Sequence, residues 1–181
     1  MNREINMENW LYKNIIKIAI VISLPLLLAF FSQYAYAKAE SDEYANSRYC
    51  MAQNIYFESA NQSFAGRLAV GHVVINRVED LQFPNTVCEV IYQAKTFVNW
   101  KGNRVPIRNQ CQFSWYCDGL SDEPVDSKTW IKSLYIADLV LTGEYKDITE
   151  GALWYHADYI YPYWADELEE VTQIDNHRFY K

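Results

Sequence analysis

"FAGRLAVGHVVINRV", residues 64–78, decides how the chain is built. Leu68, Val70, Val73, Val74, Ile75 and Val78 are spread around the circumference of a helix drawn at 3.6 residues per turn, not gathered on one stripe. A helix that is apolar on several sides needs other elements around it, so this segment is expected to be the central helix. His72 and Asn76, four residues apart, give it one polar seam. That seam reads either as a satisfied core pair or as part of a cleft wall.

On its N-terminal side, Ser63 stands where a helix cap belongs. Just before it, Met51, Ile55 and Glu58 fall at i, i+4 and i+7 and so share one face of an earlier helix. Glu58 ends that inward-facing stripe, next to Ile55, Tyr56 and Phe57. Apolar surroundings raise a carboxyl pKa, and a general acid at neutral pH requires such a rise. Glu58 is therefore the candidate catalytic residue.

On the C-terminal side, Thr86 and Glu89 form a capping box at the start of "VCEVIYQ". Residues 94–110 read as loop, because Gly102 and Pro106 interrupt them and no period holds. "CQFSWYC" (111–117) reads as a short strand or hairpin, and residues 118–127 as turns. Residues 128–143 predict an amphipathic helix with Trp130, Leu134 and Leu141 on its stripe and Gly143 as its stop. "GALWYHA" (151–157) and the tail (172–181) predict short strands. The fold class expected is α+β, mainly α, in a single domain with a small hairpin or sheet.

The first 37 residues differ from the rest. An apolar run at 15–31 and the pair Ala35 and Ala37 have the pattern of a signal peptide cleaved after Ala37, with retention as a membrane anchor the alternative. Residues 38–48 are expected to be a flexible leader and 49–181 the domain. Removing 1–37 leaves 144 residues with 13 basic and 21 acidic side chains, a balance that argues against a nucleic-acid partner. The location expected is outside the cytoplasmic membrane, in the periplasm, extracellular space or cell wall, as a monomer that meets the membrane only through its N-terminal segment. Cys50, Cys88, Cys111 and Cys117 all lie in the exported part, where cysteines pair. Of three possible connectivities, Cys111 with Cys117 and Cys50 with Cys88 are favoured. A zinc site competes, without C-x-x-C or H-x-x-x-H spacing to support it.

"IYFES", "AGRLAVGHVVINRV", "FPNTVCEVIYQ" and "CQFSWYCDG" are similar in order and spacing to the SleB-like cell wall hydrolases, named for spore cortex-lytic enzymes, over residues 49–181. The resemblance implies a small lysozyme-like fold and a peptidoglycan substrate. It also implies lytic transglycosylase chemistry centred on one glutamate, at the position of Glu58, with no cofactor. Where the family continues with Ala-Arg-Gly-Glu, this chain has Ser59, Ala60, Asn61 and Gln62. An arginine and a second acid are thus missing from that segment.

Gln112, Ser114 and Trp115 occur in the family-like hairpin and are expected to line the groove, Ser114 bonding sugar amides and Trp115 stacking on a ring. Tyr155 and His156 are expected on the opposite wall, and His177 matches a family position; Asn76 completes the substrate-binding set. For each, a packed aromatic or a satisfied polar side chain is the competing reading. A two-carboxylate N-acetylmuramidase would draw its second acid from Asp118, Asp122 or Glu123. Without a second acid, the 6-hydroxyl of N-acetylmuramic acid can attack its own C1. A Glu58, His156, His177 metal triad is conceivable, and a non-catalytic glycan-binding module using the aromatic groove is the alternative from another class.

Overall fold

The computed structural model describes residues 2–181, with side chains at residues 10, 12, 14 and 26–181. The expected export segment, 1–37, falls largely on side chains outside the described residues, as does most of the run 15–31. Among the described residues, no helix is long and apolar enough to cross a membrane. The chain divides into two units, Met1–Tyr44 and Ala45–Lys181. The first is helical from Asn2, within α1 (Asn2–Ser59). Residues 38–48, expected as a flexible leader, are helical too, since neither glycine nor proline interrupts 26–59.

The second unit holds the end of α1, then α2 (Phe64–Glu79), α3 (Val87–Ile91), α4 (Ser127–Leu141) and five short strands. About half of the chain is helical, so the architecture is α+β, mainly α. Helix α2 is central, as its sequence demands. Leu68 and Val74 pack with Met51 and Ile55 of α1, Val90 and Ile91 of α3, and Ile136 and Val140 of α4. Ala69 and Val73 pack in a second cluster with Ala152 and Phe179. At Gly71, an added Cβ would come within 2.9 Å of Val140 Cγ2, so the absence of a side chain sets how closely α2 and α4 approach. The stripe on α4 is not the expected one. Ser133, Ile136, Ala137, Leu139 and Val140 are buried, while Trp130 and Leu134 lie at its margin.

Helix α1 stops at Ser59, and its last carbonyls are taken up by the next helix. Arg67 of α2 donates from Nε to Ser59 O (3.3 Å) and from Nη2 to Ala60 O (2.7 Å). Ser63 caps α2 as expected, its Oγ accepting from Gly66 N at 3.2 Å. Thr86 caps α3, accepting from Glu89 N and donating to Glu89 Oε2. Arg48 grips Asp138 through two hydrogen bonds of 2.5 and 2.8 Å and fastens α1 to α4.

Residues 94–110 are not loop. β1 (Ala94–Val98) and β2 (Arg104–Cys111) form an antiparallel hairpin in which Thr96 faces Pro106. The segment expected as a strand, 111–117, becomes a 3-10 turn, Ser114–Cys117, because Phe113 and Trp115 turn into the core. The second sheet is antiparallel in the order β3 (Trp154–Ala157), β5 (His177–Tyr180), β4 (Glu170–Ile174). The tail therefore supplies two strands around a turn at Asp175 and Asn176, where one was expected. Both favoured disulfides are present, Cys50–Cys88 between α1 and α3, and Cys111–Cys117 across the 3-10 turn.

Candidate active site

Glu58 occupies the last turn of α1, where the helix dipole presents its negative end and disfavours a carboxylate. Its side chain opens into a cavity of about 480 Å³. Phe57 and Glu58 come from α1, Ser114, Trp115 and Asp118 from the 3-10 turn and its edge, and Tyr155 and His156 from β3. His177 of β5 also lines it. The sequence-predicted residues Glu58, Ser114, Trp115, Tyr155, His156 and His177 are thus brought together around one space.

Tyr155 Oη donates to Glu58 Oε2 at 3.0 Å. Burial raises the Glu58 pKa above its ordinary value of 4.5, against the opposing effects of the Tyr155 hydrogen bond and the positive charge of Arg77. Burial and the neighbouring Glu58 hold the Tyr155 hydroxyl well above its own ordinary value, so it stays a donor. Arg77 is the site residue that the sequence pattern missed. It is only 4 % exposed, and its Nε donates to Leu153 O at 2.7 Å. The guanidinium lies between the rings of Phe83 and Phe113, at 5.3 and 5.2 Å. Burial lowers its pKa to about 10, well above neutrality, so it remains charged. An arginine among the apolar residues Val73, Val74, Ile75 and Val78 is the available signal, because a buried cation needs partners.

The predicted residues divide by environment. Trp115 is 6 % exposed, its indole N–H donates to Asn54 Oδ1 at 3.0 Å, and its ring stacks on Phe57 at 4.9 Å. It lines the cavity with little of its ring exposed, while Tyr159, lining the same cavity, is 81 % exposed. Ser114 is exposed in the cavity, as a sugar-bonding hydroxyl requires. His156 is held at both nitrogens, by Ala157 O (2.9 Å) and Tyr180 Oη (2.9 Å). A carbonyl only accepts, so Nδ1 carries a hydrogen, and the Tyr180 hydroxyl also donates to Glu170 Oε2 at 3.3 Å. His177 is 7 % exposed, and Nδ1 has no partner among the described residues. Burial lowers its pKa from 6.5, which favours the neutral ring.

Gln112 lies outside this cavity. It lines a neighbouring one of about 450 Å³ together with Arg77, Trp154 and Trp164, and Tyr155 is common to both. With its amide oxygen turned inward, Gln112 accepts from Arg77 Nη2 at 3.1 Å. Asn76 lines neither cavity. Its amide donates to Asp147 Oδ2, Thr149 Oγ1 and Ala152 O, and His72 Nε2 meets Tyr145 O, so this seam ties the 145–152 segment to α2. Of the candidate second acids, Asp118 alone is in the Glu58 cavity. Asp122 instead offers its backbone carbonyl to Gln53, and Glu123 is exposed. Among the described residues, no group of three or more His, Cys, Asp or Glu is placed to hold a metal ion.

A family model described as Cell Wall Hydrolase matches residues 61–180, a span that opens just past Glu58. Two curated spore cortex-lytic enzymes of Bacillus cereus are each 43% identical over 47 residues, which is 26% of this chain and only 18% of theirs. Among solved structures, the chain is similar to the catalytic domain of the germination-specific lytic transglycosylase SleB from Bacillus anthracis. That match has a TM-score of 0.55 and 28% identity, and covers 75% of this chain and 94% of that one. The catalytic domain of the Bacillus cereus SleB protein is similar at a TM-score of 0.55 and 27% identity, over 76% and 91% of the two chains.

Proposed function

Because the chain belongs to the cell wall hydrolase family, we propose that it cuts the glycan strands of bacterial peptidoglycan as a lytic transglycosylase, with Glu58 as its acid and base. The observation that carries this reading is the Glu58 carboxyl, lining a cavity with its pKa raised by burial. Tyr155 donates to Oε2, so the acid proton belongs on Oε1. From there it passes to the oxygen linking N-acetylmuramic acid to N-acetylglucosamine. As that C–O bond breaks, positive charge develops at C1, and the carboxylate just formed lies beside it. Glu58 then takes the proton from the 6-hydroxyl of the same muramic acid as its oxygen closes onto C1. The products are a 1,6-anhydromuramoyl end and a free N-acetylglucosamine hydroxyl, and Glu58 is protonated again.

Neutral His177, the Ser114 hydroxyl and the exposed ring of Tyr159 suit an uncharged, acetamido-bearing sugar in this space. An export segment at residues 1–37 suits a wall substrate, which lies outside the cytoplasmic membrane. The similar Bacillus anthracis domain is described as a lytic transglycosylase, the same reaction class. One observation favours a second reading: Asp118 shares the cavity, and a carboxylate there can activate water for hydrolysis.

The test is to digest purified sacculi and weigh the released muropeptides. Ends lighter by one water support the transglycosylase. Ordinary reducing ends that disappear in Asp118→Asn would replace it with the muramidase, and strands retained without cleavage would leave a binding module. Glu58→Gln is expected to lower turnover by roughly 10²–10⁴-fold, the usual contribution of general acid–base catalysis.

A further inference from the structure

The space around Glu58 does not end at Tyr155. Tyr155 also walls the cavity over Arg77, and Gln112 is in turn shared with a third hollow of about 270 Å³ edged by Lys95 and Gln110. This track leads from the acid to the base of the β1–β2 hairpin, where the charge of the protein changes sign. Residues 90–117 contain four basic side chains, Lys95, Lys101, Arg104 and Arg108, and no acidic one, which leaves 12 basic and 23 acidic residues for the rest of the chain. All four are exposed, and among the described residues none is paired with a carboxylate.

The tip of the hairpin is closed by its own hydrogen bonds. Asn99 Oδ1 accepts from Lys101 N and Asn103 N at 2.9 and 3.0 Å, and the Asn99 backbone bonds Asn103 O and Gly102 N. Gly102 takes φ +80°, a left-handed conformation that suits glycine. On this tip Trp100 is 89 % exposed, with the Lys101 ammonium 4.8 Å from its ring centre. An acidic protein is repelled by a polyanionic substrate unless its cations are gathered where the substrate meets it.

Resting on the transglycosylase reading, we infer that the β1–β2 hairpin is a docking arm for the anionic stem peptides of peptidoglycan. Its cations meet the peptide carboxylates while the glycan strand that bears those peptides lies against Glu58. The hairpin supplies position and affinity, and the chemistry stays at the cleft.

The full chain and its triple variant Lys95→Gln, Lys101→Gln, Arg104→Gln decide the matter on two substrates, with sacculi that retain their phosphate polymers as a control. One is sacculi stripped of phosphate polymers; the other is glycan strands freed of peptide by an amidase. At low salt, the ratio of the cleavage rate on sacculi to that on bare strands is expected to fall roughly ten-fold in the variant. Raising the salt should bring the wild-type ratio down to the variant's. The replaced side chains are all exposed, so the variant keeps its core. An unchanged ratio, with both substrates cut by the wild type, overturns the docking arm alone. A difference seen only on sacculi that retain their phosphate polymers overturns the peptide assignment. A wild type that cuts neither substrate overturns the transglycosylase reading and the docking arm with it.

Discussion

Replacing Tyr155 with phenylalanine removes one atom from the site and makes a directional demand on its pH dependence. The lost hydroxyl donates to Glu58 Oε2 at 3.0 Å and favours the ionised carboxylate, so its removal raises the Glu58 pKa further. Hydrogen bonds to charged groups are worth about 1.5–3 kcal/mol, and Glu58 keeps some solvent contact. The lower figure is therefore appropriate and corresponds to roughly one pH unit. Donation to the glycosidic oxygen needs the protonated acid, so the alkaline limb of the activity profile should move up by about one unit. Turnover at the optimum should fall as well, because the proton on Oε1 is no longer aimed. The assay is the initial rate of muropeptide release from sacculi, followed from acidic to alkaline pH. The phenylalanine ring keeps its packing on Phe179 and His177, centroids 5.6 and 5.1 Å away, so the melting temperature should change little. An alkaline limb that stays in place, or moves to lower pH in a folded variant, would refute the coupling between Tyr155 and Glu58.

Glu58→Gln should also reveal what the acid costs the fold. Burial raises the folded-state pKa above 4.5, so the native chain holds this proton more tightly than the unfolded chain does. The resulting stability is complete below the unfolded pKa and is lost as pH rises through the folded one. The variant should therefore gain stability relative to the wild type from about pH 4.5 towards neutrality; thermal melts that diverge in the opposite sense would contradict the burial argument. The two disulfides should differ in weight. Cys50–Cys88 spans 38 residues and Cys111–Cys117 spans 6, so loop-closure entropy assigns them about 4 and about 2 kcal/mol. Paired alanine replacements in denaturant titrations should rank in that order, and the reverse ranking would show that local strain dominates.

Much of this molecule is legible in its sequence because the relevant forces act locally. The apolar circumference of residues 64–78 announces a surrounded helix. Ser63 and Thr86 announce its cap and the next, and the Met51–Ile55–Glu58 spacing points an acid inward. The hairpin at 94–111 is not legible, because both of its faces are largely solvated and no apolar alternation marks it. Pro106 and Gly102 add turn-like punctuation that the pairing with Thr96 overrides. Strands of four or five residues, such as β3, β4 and β5, hold too few periods to separate one strand from two. In the site, the surroundings of Trp115 and Arg77 are not legible for one reason. What fixes them is contact with Phe57 and Asn54, or with Leu153 and Gln112, all far away along the chain.

The guanidinium of Arg67, clamped over Ser59 O and Ala60 O, bears on how the proton is delivered. A carboxyl on a mobile loop must be gathered into place anew in every turnover. Here the backbone immediately after Glu58 is bolted down by the first turn of the neighbouring helix. On the proposed function, the acid thus waits as a fixed abutment, and it is the polysaccharide that must bend to reach it.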